Sequence, residues 1–262
     1  MTFHEKDGLR FYSFPTLDAL GARHAVFTRR GGASREPYAT LNIGSMVGDD
    51  PASVLENRRR MFSLLGREEE SVPGILQVHS GKVVVARRSL AGEPLVEADG
   101  LVTDSADCTL LMRFADCVPV LLYDPVRKAA GIAHAGWKGT VAKVAAHAVE
   151  TMRDQFGCRP EDIRAGIAPS IGPDHYVVGG EIVQAVRGAF GSLSDSLMTI
   201  VNGETKLNLW AANEAALREA GVRDIEVAGI CTACQTADWF SHRAENGRTG
   251  RFGAVIWLPS RD

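Results

Sequence analysis

Two short apolar segments, 118–123 (Val-Pro-Val-Leu-Leu-Tyr) and 128–133 (Lys-Ala-Ala-Gly-Ile-Ala), flank the turn sequence Asp124-Pro125-Val126-Arg127. Such runs on either side of an Asp-Pro turn read as a β-hairpin, which commits the middle of the chain to a sheet. If Tyr123 pairs with Lys128, the register sets Cys117 directly opposite His134. A thiol and an imidazole on one sheet face, with Cβ atoms roughly 5 Å apart, suit two ligands of one zinc ion.

Further strand-type apolar runs occupy 83–85, 110–112, 225–230 and 254–258. Helices are expected over 51–65, 140–156, 180–190 and 209–220. In the second, Val141, Val144, Ala145, Ala148 and Met152 recur at helical spacing behind Thr140 as N-cap. Strands and helices mix without regular alternation. The expected fold class is therefore α+β: mixed β-sheets flanked by helices, layered α/β/α, and not a doubly wound nucleotide fold. With 262 residues, 45% of them hydrophobic, and no linker-like break in composition, residues 1–262 are expected to form a single domain.

The formal charge is -3, and the basic residues are scattered apart from short runs at 58–60 and 87–88, so nucleic acid is not an expected partner. The N-terminus shows no signal pattern and no apolar run reaches membrane-spanning length, which makes a cytoplasmic protein the expectation. Five cysteines, an odd number, fit a reducing compartment where thiols serve metals or chemistry.

A catalytic zinc takes three protein ligands and keeps one position for water or substrate. His79, leaving a strand-like stretch at a turn, is the candidate third donor beside Cys117 and His134, although spacing alone fits a structural histidine as well. The echo Ala106-Asp107-Cys108 of Ala115-Asp116-Cys117 offers a competing thiol. The register carries Cys108 away from the hairpin, so it is expected to be a buried small hydrophobe. After His134, the segment Ala135-Gly136-Trp137-Lys138-Gly139-Thr140 is a glycine-rich turn feeding a helix. Free amides there, with Lys138, could hold phosphate, or the glycines could simply permit close helix–sheet packing. It lacks the Gly-Lys pair of a Walker A loop.

Cys231-Thr232-Ala233-Cys234 is a lone CxxC with no matching pair, open to reading as a redox dithiol or a separate metal site. Zinc deaminases of the His-x-Glu type are excluded because no histidine is followed two residues later by glutamate. Copper is disfavoured: seven histidines without a His-x-His pair are too sparse for imidazole-rich copper clusters.

The ordered motifs Thr28-Arg29-Arg30-Gly31-Gly32, Leu41-Asn42, Gly48-Asp49-Asp50, Asn57-Arg58, Gln77-Val78-His79 and Ala98-Asp99-Gly100 continue with Ala115-Asp116-Cys117-Val118-Pro119 and His134-Ala135-Gly136-Trp137. Ile171-Gly172-Pro173 and Phe240-Ser241-His242-Arg243 complete the set. Together they resemble the laccase-domain family, also called polyphenol oxidase, peptidoglycan editing factor and purine nucleoside phosphorylase. The resemblance spans nearly the whole chain. It implies zinc held by His79, Cys117 and His134, phosphorolysis of adenosine, inosine and methylthioadenosine, and deamination of adenosine. It also places Arg29, Arg58, Lys138 and Arg243 near the substrate and phosphate, with Asp99 and Asp116 as carboxylates that act as base or orient a ligand. The chain departs from the family pattern at Lys138, where arginine is usual, at Ala244-Glu245, and at Asp174-His175, where cysteines are common.

Two other readings use the same residues. Cys117 could be a nucleophile with His134 as its base, in a hydrolase suited to peptidoglycan precursor editing. Alternatively, zinc could brace a non-catalytic binding protein, with His175, His242 or Cys231 as a fourth ligand.

Overall fold

The computed structural model describes residues 2–87 and 95–259; Arg88 of the second basic run lies outside the described residues. Strands that are apolar at successive positions must be covered on both faces, and their alternation decides the layering. In Thr109–Phe114, the side chains of Leu110, Met112 and Phe114 enter one core while Leu111 enters another. Leu121 and Tyr123 of Val118–Asp124 join the first core, whereas Val118, Val120 and Leu122 face a third.

Two sheets therefore face each other across a shared core. The first is antiparallel throughout, in the order Thr2–Lys6, Leu9–Ser13, Arg23–Phe27, Phe252–Trp257, Thr109–Phe114. The second is mixed, in the order Asp224–Val227, Arg164–Ile167, Val118–Asp124, Ala129–Ala135, Gly100–Thr103, Val83–Val85. Met61 and Phe62 of the helix Pro51–Leu65 cover the outer face of the first sheet. Residues of Val144–Phe156 and Leu209–Glu219 cover that of the second. This is the expected α+β class of mixed sheets flanked by helices, with the sheet layer doubled. Cys108 is buried in the core between the sheets.

Local chemistry explains where the elements stop. Pro51–Leu65 starts on Asp50, whose carboxylate accepts from the amides of Ala52 and Ser53, and ends on Gly66 at φ 63°. The helix expected over 140–156 is instead two, Trp137–Val141 and Val144–Phe156, separated by Lys143 at φ 54°. Thr140 is not its N-cap: its hydroxyl donates to the Ala135 carbonyl at 3.3 Å and accepts from Asn213 Nδ2 at 3.0 Å. Gly136 occupies the N-cap position.

The central hairpin forms, but its register is offset by two residues from the expected one. Asp124 pairs with Ala129, and His134 lies opposite Pro119, not Cys117. The Asp124 carboxylate accepts from the amides of Val126 and Arg127 at 2.8 and 2.9 Å, and Lys128 turns left-handed at φ 53°, so the loop is 125–128. An offset of two keeps side chains on their original face, which leaves Cys117 and His134 as diagonal neighbours. No helix among the described residues is long and apolar enough to cross a membrane.

His24 makes the fold sensitive to acid. Its side chain is buried between the amide of Phe14, which donates to Nε2 at 2.9 Å, and the Ala22 carbonyl, 3.3 Å from Nδ1. Burial pushes its pKa down, against the pull of Asp18. The unfolded chain then binds the proton more readily, so stability present above about pH 6.5 is lost as pH falls below it. The unfolding free energy from urea titration is expected to drop from pH 7.5 to pH 5, by up to about 1.4 kcal/mol per pH unit. The drop should flatten in His24→Gln.

Candidate metal centre

Asp99 gathers the site. It is fully buried directly before the strand Gly100–Thr103. Its Oδ1 accepts from His134 Nδ1 at 2.9 Å, and its backbone carbonyl accepts from the His134 amide at 2.7 Å. Oδ2 accepts from the amides of Val78 and Ser80 at 3.2 and 2.6 Å and from the Ser80 hydroxyl at 2.9 Å. The turn carrying His79 is thus wrapped around one carboxylate, with His79 itself in the left-handed region at φ 60°.

Cys117 arrives by a parallel device. Asp116, at φ 80°, accepts from Thr232 Oγ1 and the Arg243 amide, both at 2.7 Å, and from Ile171 N through its own carbonyl at 3.0 Å. A Cβ on Gly136 would lie 2.7 Å from Cys117 Sγ and 3.2 Å from His79 Cδ2, so only glycine fits between them. One donor atom from each of His79, Cys117 and His134 lies within 4.8 Å of the others.

The electrostatics prepare Cys117 as a thiolate and tie His134, which sheds a proton when it ligates, to two anionic neighbours. Burial alone would raise the Cys117 thiol, but the His134 imidazole and hydrogen bonds from both histidines outweigh it and bring the thiol down. Burial would lower His134, but Cys117 and Asp99 raise it. Burial opposes ionisation of Asp99 too, yet His134 and Ser80 hold its carboxyl at about 2. A thiolate is the metal-binding form of cysteine, and the Asp99 bond to Nδ1 leaves His134 Nε2 for a metal. Two nitrogens and one sulfur fit zinc, and the group contains no fourth protein donor among the described residues.

The open side faces a pocket of about 660 Å³. Trp137 and Tyr176 give it planar walls, and Lys138, Arg243 and His242 line it, as do Arg113 and Arg251. The three guanidinium groups donate to neutral acceptors: Arg113 to Gln77 Oε1 and the Ile75 carbonyl, Arg243 to the His175 and Val177 carbonyls, Arg251 to the Thr249 and Gly250 carbonyls. Their positive charge is left for an anion. Burial pushes both Arg113 and Arg251 below the usual arginine range.

Arg29 and Arg58 lie outside this lining. Arg29 is bound to Glu245 at 2.8 Å and stacked on Phe240, and Arg58 is bound to Glu69 at 2.6 Å beside a separate, smaller cavity. The departure at Glu245 therefore serves the fold, since its Oε2 also accepts from Ser241 N at 2.9 Å. Arg113 and Arg251 escaped the sequence reading. A signal existed for Arg113, a guanidinium inside the apolar run Leu110-Leu111-Met112-Arg113-Phe114, which must face something other than core.

Comparison with known proteins places this geometry. A family model described as multi-copper polyphenol oxidoreductase laccase matches residues 23–259. The purine nucleoside phosphorylase of Deinococcus radiodurans is 41% identical over 243 residues, covering 93% of this chain and 92% of that protein. The purine nucleoside phosphorylase YlmD of Geobacillus stearothermophilus is 37% identical over 246 residues, 90% of each. Among solved structures, YlmD from Geobacillus stearothermophilus superposes with a TM-score of 0.91 at 34% identity, covering 98% of this chain and 99% of that one. The Bacillus licheniformis hypothetical protein YfiH gives 0.90 at 34% identity with the same coverage. Matched over most of its length by the model and by relatives above 30% identity, the chain belongs to the laccase-like family described as multi-copper polyphenol oxidoreductase laccase.

Proposed function

We propose that the protein is a zinc-dependent purine nucleoside phosphorylase, acting on adenosine, inosine and methylthioadenosine, with deamination of adenosine as a second reaction of the same site. One observation carries this reading: a trio of zinc-type donors opens onto a pocket whose cations lack carboxylate partners among the described residues and whose walls are aromatic. The names of the two relatives support it.

His79, Cys117 and His134 would hold the metal, with Asp99 fixing the His134 tautomer. Bound zinc supplies Lewis-acid stabilisation of charge and lowers the pKa of a coordinated water. Lys138, Arg113, Arg243 and Arg251 hold phosphate, as a point charge and three forks respectively. Trp137 and Tyr176 flank the purine. A phosphate oxygen bonds to C1′ of the ribose as the bond from C1′ to the purine nitrogen breaks. The purine leaves with that electron pair and takes a proton, for which His242 is the imidazole of the lining outside the trio. Asp116 acts by position, since both of its carboxylate oxygens already accept hydrogen bonds from the protein.

Cys117 with two histidines would also accept copper, but oxidase chemistry needs further imidazole-rich sites. Of the five remaining histidines, His4 meets Ser13, His24 the Phe14 amide and His147 the Gly81 carbonyl, while His242 lines the pocket and His175 is the one imidazole beside Asp174, Cys231 and Cys234, so no second imidazole-rich group forms among the described residues.

One arrangement favours a second reading. Asp99, His134 and Cys117 are connected in the order of a thiol-nucleophile triad, as a hydrolase editing peptidoglycan precursors would require. The placement of His79 speaks for the metal, because a thiol nucleophile has no use for a second imidazole at its sulfur.

Chromatography of metal-quantified protein incubated with adenosine tests the proposal. Adenine and ribose 1-phosphate are expected only when phosphate is present, with inosine as the phosphate-independent product. Absence of all three products, together with iodoacetamide labelling of Cys117 in zinc-loaded protein, would overturn it in favour of the thiol hydrolase.

A further inference from the structure

A second cluster of metal-type donors lies beside the pocket and takes no part in the chemistry above. Asp174 and His175 come from the loop after the bridge at Ser170, and Cys231 and Cys234 from the loop that this bridge pairs with it. One donor atom of each residue lies within 4.8 Å of all the others.

The separations outline a coordination polyhedron. His175 Nδ1 lies 3.4 Å from Cys234 Sγ, 3.8 Å from Cys231 Sγ and 2.9 Å from Asp174 Oδ2, and Cys234 Sγ lies 3.0 Å from the same Asp174 oxygen. The edges of a tetrahedron of sulfur, nitrogen and oxygen around zinc are roughly 3.3–3.8 Å. Closing onto an ion thus requires shifts of a few tenths of an ångström at the Asp174 edges. The side chains of Asp174 and His175 are about half exposed, so an ion reaches them from solvent.

Backbone features favour the cluster as well. The Gly172 amide donates to Cys231 Sγ at 3.2 Å, the kind of bond that steadies a metal-bound thiolate. A Cβ on Gly172 would lie 2.6 Å from Asp174 Oδ1 and 3.0 Å from Cys231 Cβ, so glycine lets the two loops close on each other.

We propose that Asp174, His175, Cys231 and Cys234 form a second metal site that takes a zinc-class divalent cation and is structural. Two thiols and an imidazole select a soft or borderline ion over magnesium or calcium, and four protein donors leave no position for substrate. Both thiols release their protons to solvent as the cation binds, including the one that Cys234 otherwise shares with Asp174. The same two loops carry the contacts of Ile171 and Thr232 to Asp116, and Arg243 donates to the His175 carbonyl. The ion would therefore clamp the pocket wall that positions Cys117 and Arg243.

Zinc alone is the probe: chelator-stripped, reduced protein is titrated with zinc against a chromophoric indicator. The wild type is expected to bind two equivalents, Cys117→Ala one, Cys234→Ser one, and the double variant none. Asp174→Asn, which keeps the shape of the side chain, should weaken the second equivalent at least about 10-fold while leaving the first intact. Cobalt bound to Cys117→Ala should show thiolate charge-transfer absorption that disappears with Cys234→Ser. A Cys117→Ala protein that binds none, or a wild type that stops at one equivalent and keeps it in Cys234→Ser, would overturn the second site. Each site is read separately from nucleoside turnover, so loss of one reading leaves the other standing.

Discussion

Cys117→Ala is expected to fold, to lose the zinc held with His79 and His134, and to turn over purine nucleosides about 1000-fold more slowly, the equivalent of roughly 4 kcal/mol of transition-state stabilisation. The sulfur is the only anionic donor of the trio, and without it two neutral imidazoles would have to retain a dication. Folding should survive, because Cys117 is only half-buried and precedes the strand Val118–Asp124. Its removal also relieves the close approach to Gly136. His134→Ala is the less clean variant, since it leaves the buried Asp99 carboxylate without its imidazole partner. Elemental analysis, far-ultraviolet circular dichroism and turnover, measured on one preparation, check the expectation. Full turnover by folded Cys117→Ala would remove the metal from the reaction.

The hairpin and most helices were legible because their signals are local. Helices at Pro51–Leu65 and Gly180–Phe190 begin and end where apolar spacing and flanking glycines put them. The hairpin register was not legible, because the Asp124 carboxylate capping two amides selects a loop that apolar pattern alone does not encode. The N-terminal strands Thr2–Lys6 and Leu9–Ser13 passed unread, although the Asp7-Gly8 pair between them, at φ 52° and 76°, is a strong hairpin signal. The alternation of those strands is diluted by polar residues, and the pairing that makes them a sheet edge comes from Arg23–Phe27 and the distant Phe252–Trp257. In the site, the hairpin pointed to Cys117 and His134 and the family resemblance to His79 beside them, but the pocket cations are sorted by tertiary contact. Glu245 and Glu69 take up Arg29 and Arg58, while Arg113 and Arg251 keep neutral partners. Half of the second donor cluster was legible, since the CxxC at 231–234 already reads as a possible metal site, but its partners were not, because no sequence spacing joins Asp174-His175 to that distant loop.

Asp99→Asn separates the role of the carboxylate's charge from that of its shape. The asparagine amide has one oxygen, whereas the carboxylate offers Oδ1 to His134 and Oδ2 to the amides of Val78 and Ser80. With its oxygen toward Val78 and Ser80, the NH2 group faces His134 Nδ1, which must then accept; the ring proton moves to Nε2, the nitrogen otherwise offered to the metal. With its oxygen toward His134, the NH2 group meets two amide donors, and the turn that aims His79 opens. Either arrangement damages the trio from behind. Zinc affinity at that site is expected to fall about 10- to 100-fold, and stability by about 1–3 kcal/mol for the donors left without an acceptor. Excess zinc should restore much of the turnover if the ring merely flips tautomer. The pH dependence supplies a check that simple loss of packing would not give. The Asp99 carboxyl titrates at about 2, so the wild-type protein keeps this anchor as pH falls until it nears that value, and the contribution is fully present above about pH 4. The asparagine variant should lose that acid-dependent increment altogether, its denaturation midpoint changing less between pH 5 and pH 3 than that of the wild type. An Asp99→Asn protein with unaltered zinc affinity would show that His134 takes its orientation from the sheet alone.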